Sequence, residues 1–145
     1  MDARSRARPL SPQEIDAFLA EVRLAHLATV DGRGLPRVRP VWFLWDDRAF
    51  WFTTRIRQRH TGRDWVDGGE VSVSVASDDQ PYRAVIARGR PEVVGRDEGL
   101  LSAVSSRYLG GRGKQWTTEA LRQPDRVVFR LEPASLISWD YGSLL

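Results

Sequence analysis

Apolar positions recur every second residue along most of this chain, and two stretches break that rhythm with the spacing of a helix. The densest run is Arg37 to His60, RVRPVWFLWDDRAFWFTTRIRQRH. Two aromatic-rich segments flank a polar tight turn at Asp46-Asp47-Arg48. Val, Phe, Trp and Thr suit a pleated, half-buried surface, so the pattern predicts a β-hairpin. The first strand spans Leu35 to Trp45 and the second Ala49 to Thr54. Alternation puts Arg37, Arg39, Val41, Phe43 and Trp45 on one face and Val38, Pro40, Trp42 and Leu44 on the other. Both faces are largely apolar, which predicts a strand covered on both sides. Pro40 lacks a ladder donor and marks an edge, a bulge or a ligand.

The remaining elements follow from the same reading. Residues 1–10 lack periodicity and predict a loose tail, leaving 11–145 as one domain. Ser11-Pro12-Gln13-Glu14 is a capping box with proline at the first helical position. Ile15, Phe18, Leu19 and Val22 then give an apolar helical face to about Arg23. Leu24 to Val30 predicts a strand ended by Asp31-Gly32-Arg33-Gly34. Residues 57–69 are polar and predict a loop with a short helix, Trp65 and Val66 being candidate inward anchors. Val71, Val73 and Val75 alternate with small residues in a half-buried strand, and Asp78 to Pro81 turn the chain. Tyr82 to Val94 predicts one long strand, with Gly89 at a bulge or a close backbone approach. Asp97 caps a helix carrying Leu100, Leu101, Val104 and Tyr108, stopped by Gly110-Gly111. Residues 110–117 read as a flexible basic loop and 118–123 as a short helix at most. Val127 to Leu131 and Leu136 to Trp139 close the fold. Six or seven strands in hairpin order with two main helices predict a small antiparallel barrel of the α+β, mainly β kind.

Composition narrows the chemistry. Apolar residues make up 41% and charged residues 28%, a globular balance. No apolar run approaches a membrane span, and the N-terminal arginines are not followed by a secretory apolar core. The chain has no cysteine, which removes disulfides, thiolate metal sites and cysteine nucleophiles and suits a cytoplasmic protein. A net charge of +3, with Lys114 the only lysine, suits an anionic small ligand as well as nucleic acid. Nucleic acid is the weaker fit, because the aromatics fall in strand patterns of a core. No glycine-rich nucleotide fingerprint, HExxH or GxSxG motif occurs, and the two histidines, His26 and His60, have no paired-ligand spacing. With so few acid–base groups on offer, an enzyme built on this chain relies on a bound cofactor.

The candidate site lies where the hairpin runs out of the sheet. Arg55, Arg57 and Arg59 read either as a phosphate clamp, to which a guanidinium fork is suited, or as a solvated turn. Thr53 and Thr54 are hydroxyl donors to the same phosphate or ordinary strand residues. His60 is a phosphate donor or an exposed loop residue. His26 reads as a core histidine before a ligand. Arg37 and Arg39, on a covered face, call for an anion or carboxylate. Trp42, Trp45 and Trp51 are core residues, any of which could wall a flat ring.

Taken together, the LAHLATV strand, the P-x-V-x-P-V-W strand, FWFTT, the basic x-R-x-R-x loop, V-S-V-S-V, Y-R-x-V-x-x-x-G-R-x-E-V and the closing ISWDY resemble one known family. They resemble the pyridoxamine 5'-phosphate oxidase-like split β-barrel superfamily, in particular its flavin/deazaflavin oxidoreductase branch. The resemblance runs from about Pro12 to Tyr141. It implies an FMN-binding split barrel, a homodimer with two sites at the subunit interface, and FMN or the deazaflavin coenzyme F-420, with haem in a few relatives. Hydride would pass between the ring and a small planar or conjugated substrate. A non-catalytic binder of haem or another anionic planar ligand is the alternative on the same barrel. The resemblance assigns ring contacts to Arg39, Pro40, Val41 and Trp42. Thr53 or Thr54 matches the family's strand-ending threonine, and Arg57, Gln58, Arg59 and His60 match the phosphate loop. The chain departs from the family in having Arg57-Gln58-Arg59-His60 where an Arg-Lys pair is common.

Overall fold

The computed structural model describes residues 7–56 and 69–142. Nine strands, β1 (Ala25–Val30), β2 (Pro36–Val41), β3 (Leu44–Asp46), β4 (Ala49–Arg55), β5 (Val71–Ala76), β6 (Arg83–Gly89), β7 (Glu92–Gly95), β8 (Arg126–Leu131) and β9 (Ser135–Asp140), form two antiparallel sheets. One has the order β2-β1-β5-β6-β9 and the other β3-β4-β8-β7. Among the described residues three α-helices flank them: α1 (Pro12–Ala20), α2 (Glu98–Leu109) and α3 (Gly113–Ala120). The mainly β, α+β class is as expected. The described sheets stay separate, so the barrel is split rather than closed.

The core lies between the sheets. Leu27, Val73, Val75 and Val85 of the five-stranded sheet meet Phe50, Phe52, Phe129 and Leu131 of the other, with Phe18, Leu19 and Phe43 completing the cluster. Each large apolar side chain taken fully out of water contributes about 1.5–3 kcal/mol. The rings interlock: Phe50 and Phe52 lie with centroids 5.9 Å apart, and Trp45 meets Phe50 edge-on at 4.8 Å.

Seven expected strands become nine because two of them change sheet partway. The run expected from Leu35 to Trp45 breaks after Val41. Its first part pairs with β1 in the five-stranded sheet, and its second with β4 in the other. The run from Tyr82 to Val94 breaks at Arg90-Pro91 in the same way, β6 pairing with β5 and β9, and β7 with β8. Pro91 has no N–H to continue a ladder. Gly89 sits at a close backbone approach, since a Cβ there would lie 2.9 Å from the Glu132 carbonyl oxygen. The hairpin turn forms at Asp47 and Arg48, both with positive φ (52° and 58°), as a two-residue turn of right-handed strands demands.

Several local expectations need correcting. Residues 110–117 are not a flexible loop: a short 3₁₀ turn leads into α3, which starts at Gly113. Tertiary packing overrides composition there. The Gly113 position lies so close to Ser106 of α2 that a Cβ would come within 2.4 Å of Oγ, and Thr117 Oγ1 donates to the Gly113 carbonyl at 2.8 Å. The tail is fixed over residues 7–10. Arg8 exchanges two backbone hydrogen bonds with Asp140 (3.0 and 2.8 Å), and Leu10 is buried. Helix α1 ends at Ala20, so Val22 lies beyond it and is exposed. The Ser11–Glu14 capping box forms as read, and Arg8 also grips Glu14 at 2.8 Å. That contact and the Ser11 hydrogen bonds hold the Glu14 carboxyl down to about 2. No helix among the described residues is long and apolar enough to cross a membrane.

Strand β2 is not covered on both sides. It is an edge strand, consistent with Pro40 in its ladder, and Pro36, Val38 and Pro40 face outward and are exposed. His26 is not a core residue either. It lies exposed on the outer face of β1, between Pro40 of β2 and Ser74 of β5.

Candidate functional site

The chain crosses from one sheet to the other at Trp42 and Phe43, and a cavity of about 350 Å³ opens beside that crossover. Leu24, Pro40, Val41, Trp42, Thr53, Trp116 and Arg126 line it. Each comes from a different local cause. Pro40 and Val41 end β2, Thr53 lies on the outer face of β4, Arg126 opens β8, and Trp116 projects from α3.

A hydroxyl clamp holds the crossover. Tyr108 of α2 accepts a hydrogen bond from the Phe43 amide at 3.0 Å and donates to the Arg23 carbonyl at 2.8 Å. Burial pushes its phenol above the ordinary tyrosine value. The Tyr108 ring stacks on Trp42, centroids 5.1 Å apart and planes within 7°. Trp116 tilts against the other part of Trp42 at 5.5 Å. Arg107 lies 4.9 Å from the Phe43 ring centroid and bonds the Glu21 carbonyl at 3.2 Å. The indole of Trp42 is thereby fixed as a flat wall rather than left as a free side chain.

Of the residues expected at the cofactor site, the ring candidates Pro40, Val41 and Trp42 and the phosphate candidate Thr53 come together in this cavity. Thr53 donates its hydroxyl to the Val127 carbonyl at 3.1 Å, which orients it on the cavity wall. Thr54 is carried to the core face of β4 and is buried. Arg39 lies half-buried on the inward face of β2, opposite Leu27, and is not part of the cavity lining. Arg37 on the same face finds its carboxylate in Asp31, at 2.9 Å. That contact, after the Leu35 amide, holds the Asp31 carboxyl down to about 2. Arg55 pairs with the buried Asp125 at 3.0 Å. Trp45 and Trp51 lie elsewhere: their indole N–H groups bond Asp16 Oδ1 at 2.8 Å and the Asp46 carbonyl at 3.0 Å. Arg57, Gln58, Arg59, His60, Trp65 and Val66 fall outside the described residues.

Trp116 and Arg126 were not singled out by pattern. The two pair with each other, the Arg126 guanidinium lying 5.4 Å from the Trp116 ring centroid. A larger hollow of about 520 Å³ lies on the outer face of the five-stranded sheet, floored by Ile86, Ile137, Trp139 and Tyr141. Its cation, Arg8, is already engaged by Glu14 and Asp140. Among the described residues no cluster of His, Asp and Glu could hold a metal ion. The crossover cavity therefore offers a flat aromatic wall, a hydroxyl and a cation. It can hold and orient a planar anion, and among the described residues it presents no acid–base pair.

The pyridoxamine 5'-phosphate oxidase family model matches residues 11–140. No curated protein sequence matches the chain. Among solved structures, a conserved hypothetical protein from Mycobacterium tuberculosis is 23% identical, with 97% of this chain and 91% of that one covered and a TM-score of 0.77. The haem storage protein HutZ from Vibrio cholerae is also 23% identical, covering 90% and 96%, with a TM-score of 0.69. A protein named F420 reductase is 28% identical over 83% of this chain and 94% of its own, with a TM-score of 0.66.

Proposed function

Because this chain belongs to the pyridoxamine 5'-phosphate oxidase family, we propose that it is an oxidoreductase that holds FMN or the deazaflavin F-420 in the crossover cavity. The observation that carries this reading is the lining of that cavity. A tryptophan is locked between Tyr108 and Trp116, with the Thr53 hydroxyl and the Arg126 guanidinium at its side. Ligand clefts of this kind are mostly apolar with a few placed polar groups, at about 300–1,000 Å³. When bound, such a cofactor supplies hydride acceptance and donation. The protein's own residues position the ring and exclude water from one of its faces. A small planar or conjugated substrate suits a site without an acid–base pair. The name of the F420 reductase neighbour favours the deazaflavin.

The active unit in this proposal is a homodimer. Val38 is 65% exposed and Ile137 55% exposed, on the outer face of a single sheet, with Pro36, Pro40 and Val30 beside Val38. An apolar sheet face of that extent is suited to a second copy of the chain. Purified protein titrated with FMN and with F-420, followed by tryptophan fluorescence, tests the cofactor reading. Quenching with micromolar affinity for either one is expected. No response to both defeats it.

One observation favours a second reading, haem binding without turnover. His26 is exposed on the same apolar sheet face, where an imidazole is free of the core and can act as an axial ligand. The neighbour HutZ is named a haem storage protein. A Soret band on haem addition that vanishes in His26→Ala would replace the flavin reading with this one.

A further inference from the structure

On the outer face of the four-stranded sheet, Arg55 of β4 and Arg126 of β8 stand directly opposite each other in the ladder. Like charges in that position destabilise a sheet. Arg55 has an answer in Asp125, whose side chain is 6% exposed and accepts from Nε at 3.0 Å. Arg126 turns to α3. Its Nε donates to Gln123 Oε1 at 2.9 Å, and its guanidinium lies over Trp116. Among the described residues its terminal nitrogens meet no side-chain carboxylate. Burial and the neighbouring Arg55 charge hold its pKa below the ordinary arginine value, against the opposing pull of the Asp125 carboxylate that Arg55 already engages. A half-buried cation that faces another cation and lines a cavity is a poor structural device. It becomes a favourable one when an anion arrives.

We infer that Arg126, braced on Trp116 and Gln123, receives a phosphoryl group of the ligand that occupies the crossover cavity. The identification of that ligand as a flavin-type cofactor rests on the function proposed above. The anion site does not, since it stands on Arg126 and its surroundings. A guanidinium fork matches phosphoryl oxygens in two parallel hydrogen bonds, which a lysine or a neutral amide cannot do. Thr53, which also lines the cavity, lies on the strand beside β8 and opposite Val128, two residues from Arg126. The site is thus made by two neighbouring strands and a helix, not by the hairpin end alone.

FMN and riboflavin differ only in the phosphoryl group, so their affinity ratio isolates it. Wild type, Arg126→Gln and Arg126→Lys are each titrated with FMN, riboflavin and inorganic pyrophosphate, with thermal melts to check folding. In Arg126→Gln, FMN affinity should fall roughly 10- to 100-fold, the loss expected for a charge-assisted contact, while riboflavin affinity holds. Arg126→Lys should recover part of the loss. Equal losses for FMN and riboflavin, or none, overturn the inference. If wild type binds neither flavin, the FMN half of the cofactor reading falls and pyrophosphate decides the anion site. Stabilisation of wild type by pyrophosphate, absent in Arg126→Gln, supports the site; an equal or absent effect in both overturns it.

Discussion

Deleting one oxygen, Tyr108→Phe, tests whether the crossover is clamped as described. The hydroxyl accepts from the Phe43 amide at 3.0 Å and donates to the Arg23 carbonyl at 2.8 Å. It ties the point where the chain changes sheets to the segment that leads into β1. Without it, one backbone donor and one acceptor lose this partner. A net hydrogen bond is worth about 1 kcal/mol, and each buried group left unsatisfied costs about 1–3 kcal/mol. Tyr108 is only half-buried, so water replaces part of the loss, and a net cost of about 2 kcal/mol is expected. For a chain of this size that is a fall in Tm of about 4–10 °C. Phenylalanine keeps the stack on Trp42, so the ring contact does not confound the result. Urea unfolding followed by tryptophan fluorescence should show a lower midpoint at unchanged slope. The same variant should flatten the alkaline limb of the stability curve. Tyr108 has a raised pKa in the folded chain. The unfolded chain therefore releases this proton first, near pH 10, and stability declines as the pH rises beyond that value. A variant within about 0.5 kcal/mol of wild type, with the alkaline limb intact, would refute the clamp.

Three further outcomes are expected. Glu14 and Asp31 each titrate at about 2 in the folded chain, below their unfolded values of about 4. Their contribution is therefore complete above those unfolded values and disappears as pH falls toward 2. Glu14→Gln and Asp31→Asn should each flatten that acid limb in pH-dependent unfolding. Gly113→Ala gains about 1 kcal/mol of helix propensity. It also drives a Cβ to 2.9 Å from the Ser106 Cα, an overpacking cost of about 1–3 kcal/mol that backbone cannot evade. A lower Tm is expected, and removing the Ser106 hydroxyl as well should not restore it. Val38→Asp places a charge on the exposed apolar sheet face. It should convert a dimer to a monomer in sedimentation without lowering helix or strand content; an unchanged mass would remove that face from the proposed interface.

Local pattern was enough wherever the cause was local. The Asp46-Asp47-Arg48 turn, the Ser11 capping box and the Val71–Ala76 alternation all formed where expected, because a few adjacent residues decide them. The two sheet changes are longer-range, yet one left a trace. Val41-Trp42-Phe43-Leu44-Trp45 is five apolar residues in succession, a slip in the period-two pattern at the place where β2 ends and β3 begins. Helix α3 left a trace only at its end, residues 118–120. The glycines that lead into it read as loop, and only contact with Ser105 and Ser106 on α2 makes Gly113 a packing residue. Trp116 was lost with it. His26 was misread because alternation says which residues share a face, not which face meets the core.

The half of the site visible in sequence and the half that was not differ in kind. Pro40, Val41, Trp42 and Thr53 lie on the hairpin whose aromatic density drew attention to it. Arg126 is some seventy residues away, at the head of the apolar run Val127–Val128–Phe129. A cation heading an apolar strand reads as a solvated flank, a reading that holds until the cross-strand neighbour is known. That neighbour is a second arginine, and on the Arg126 side the face is covered by Trp116. The hairpin end was read as the cation supplier of the site. Among the described residues its Arg55 is taken up by Asp125, and the guanidinium lining the cavity is that of Arg126 on the neighbouring strand; Arg57 and Arg59 lie outside the described residues. Among the described residues the electrostatics of this site are accordingly a property of the β4–β8 pairing, and changing either strand's register would dissolve that part while leaving every local motif intact.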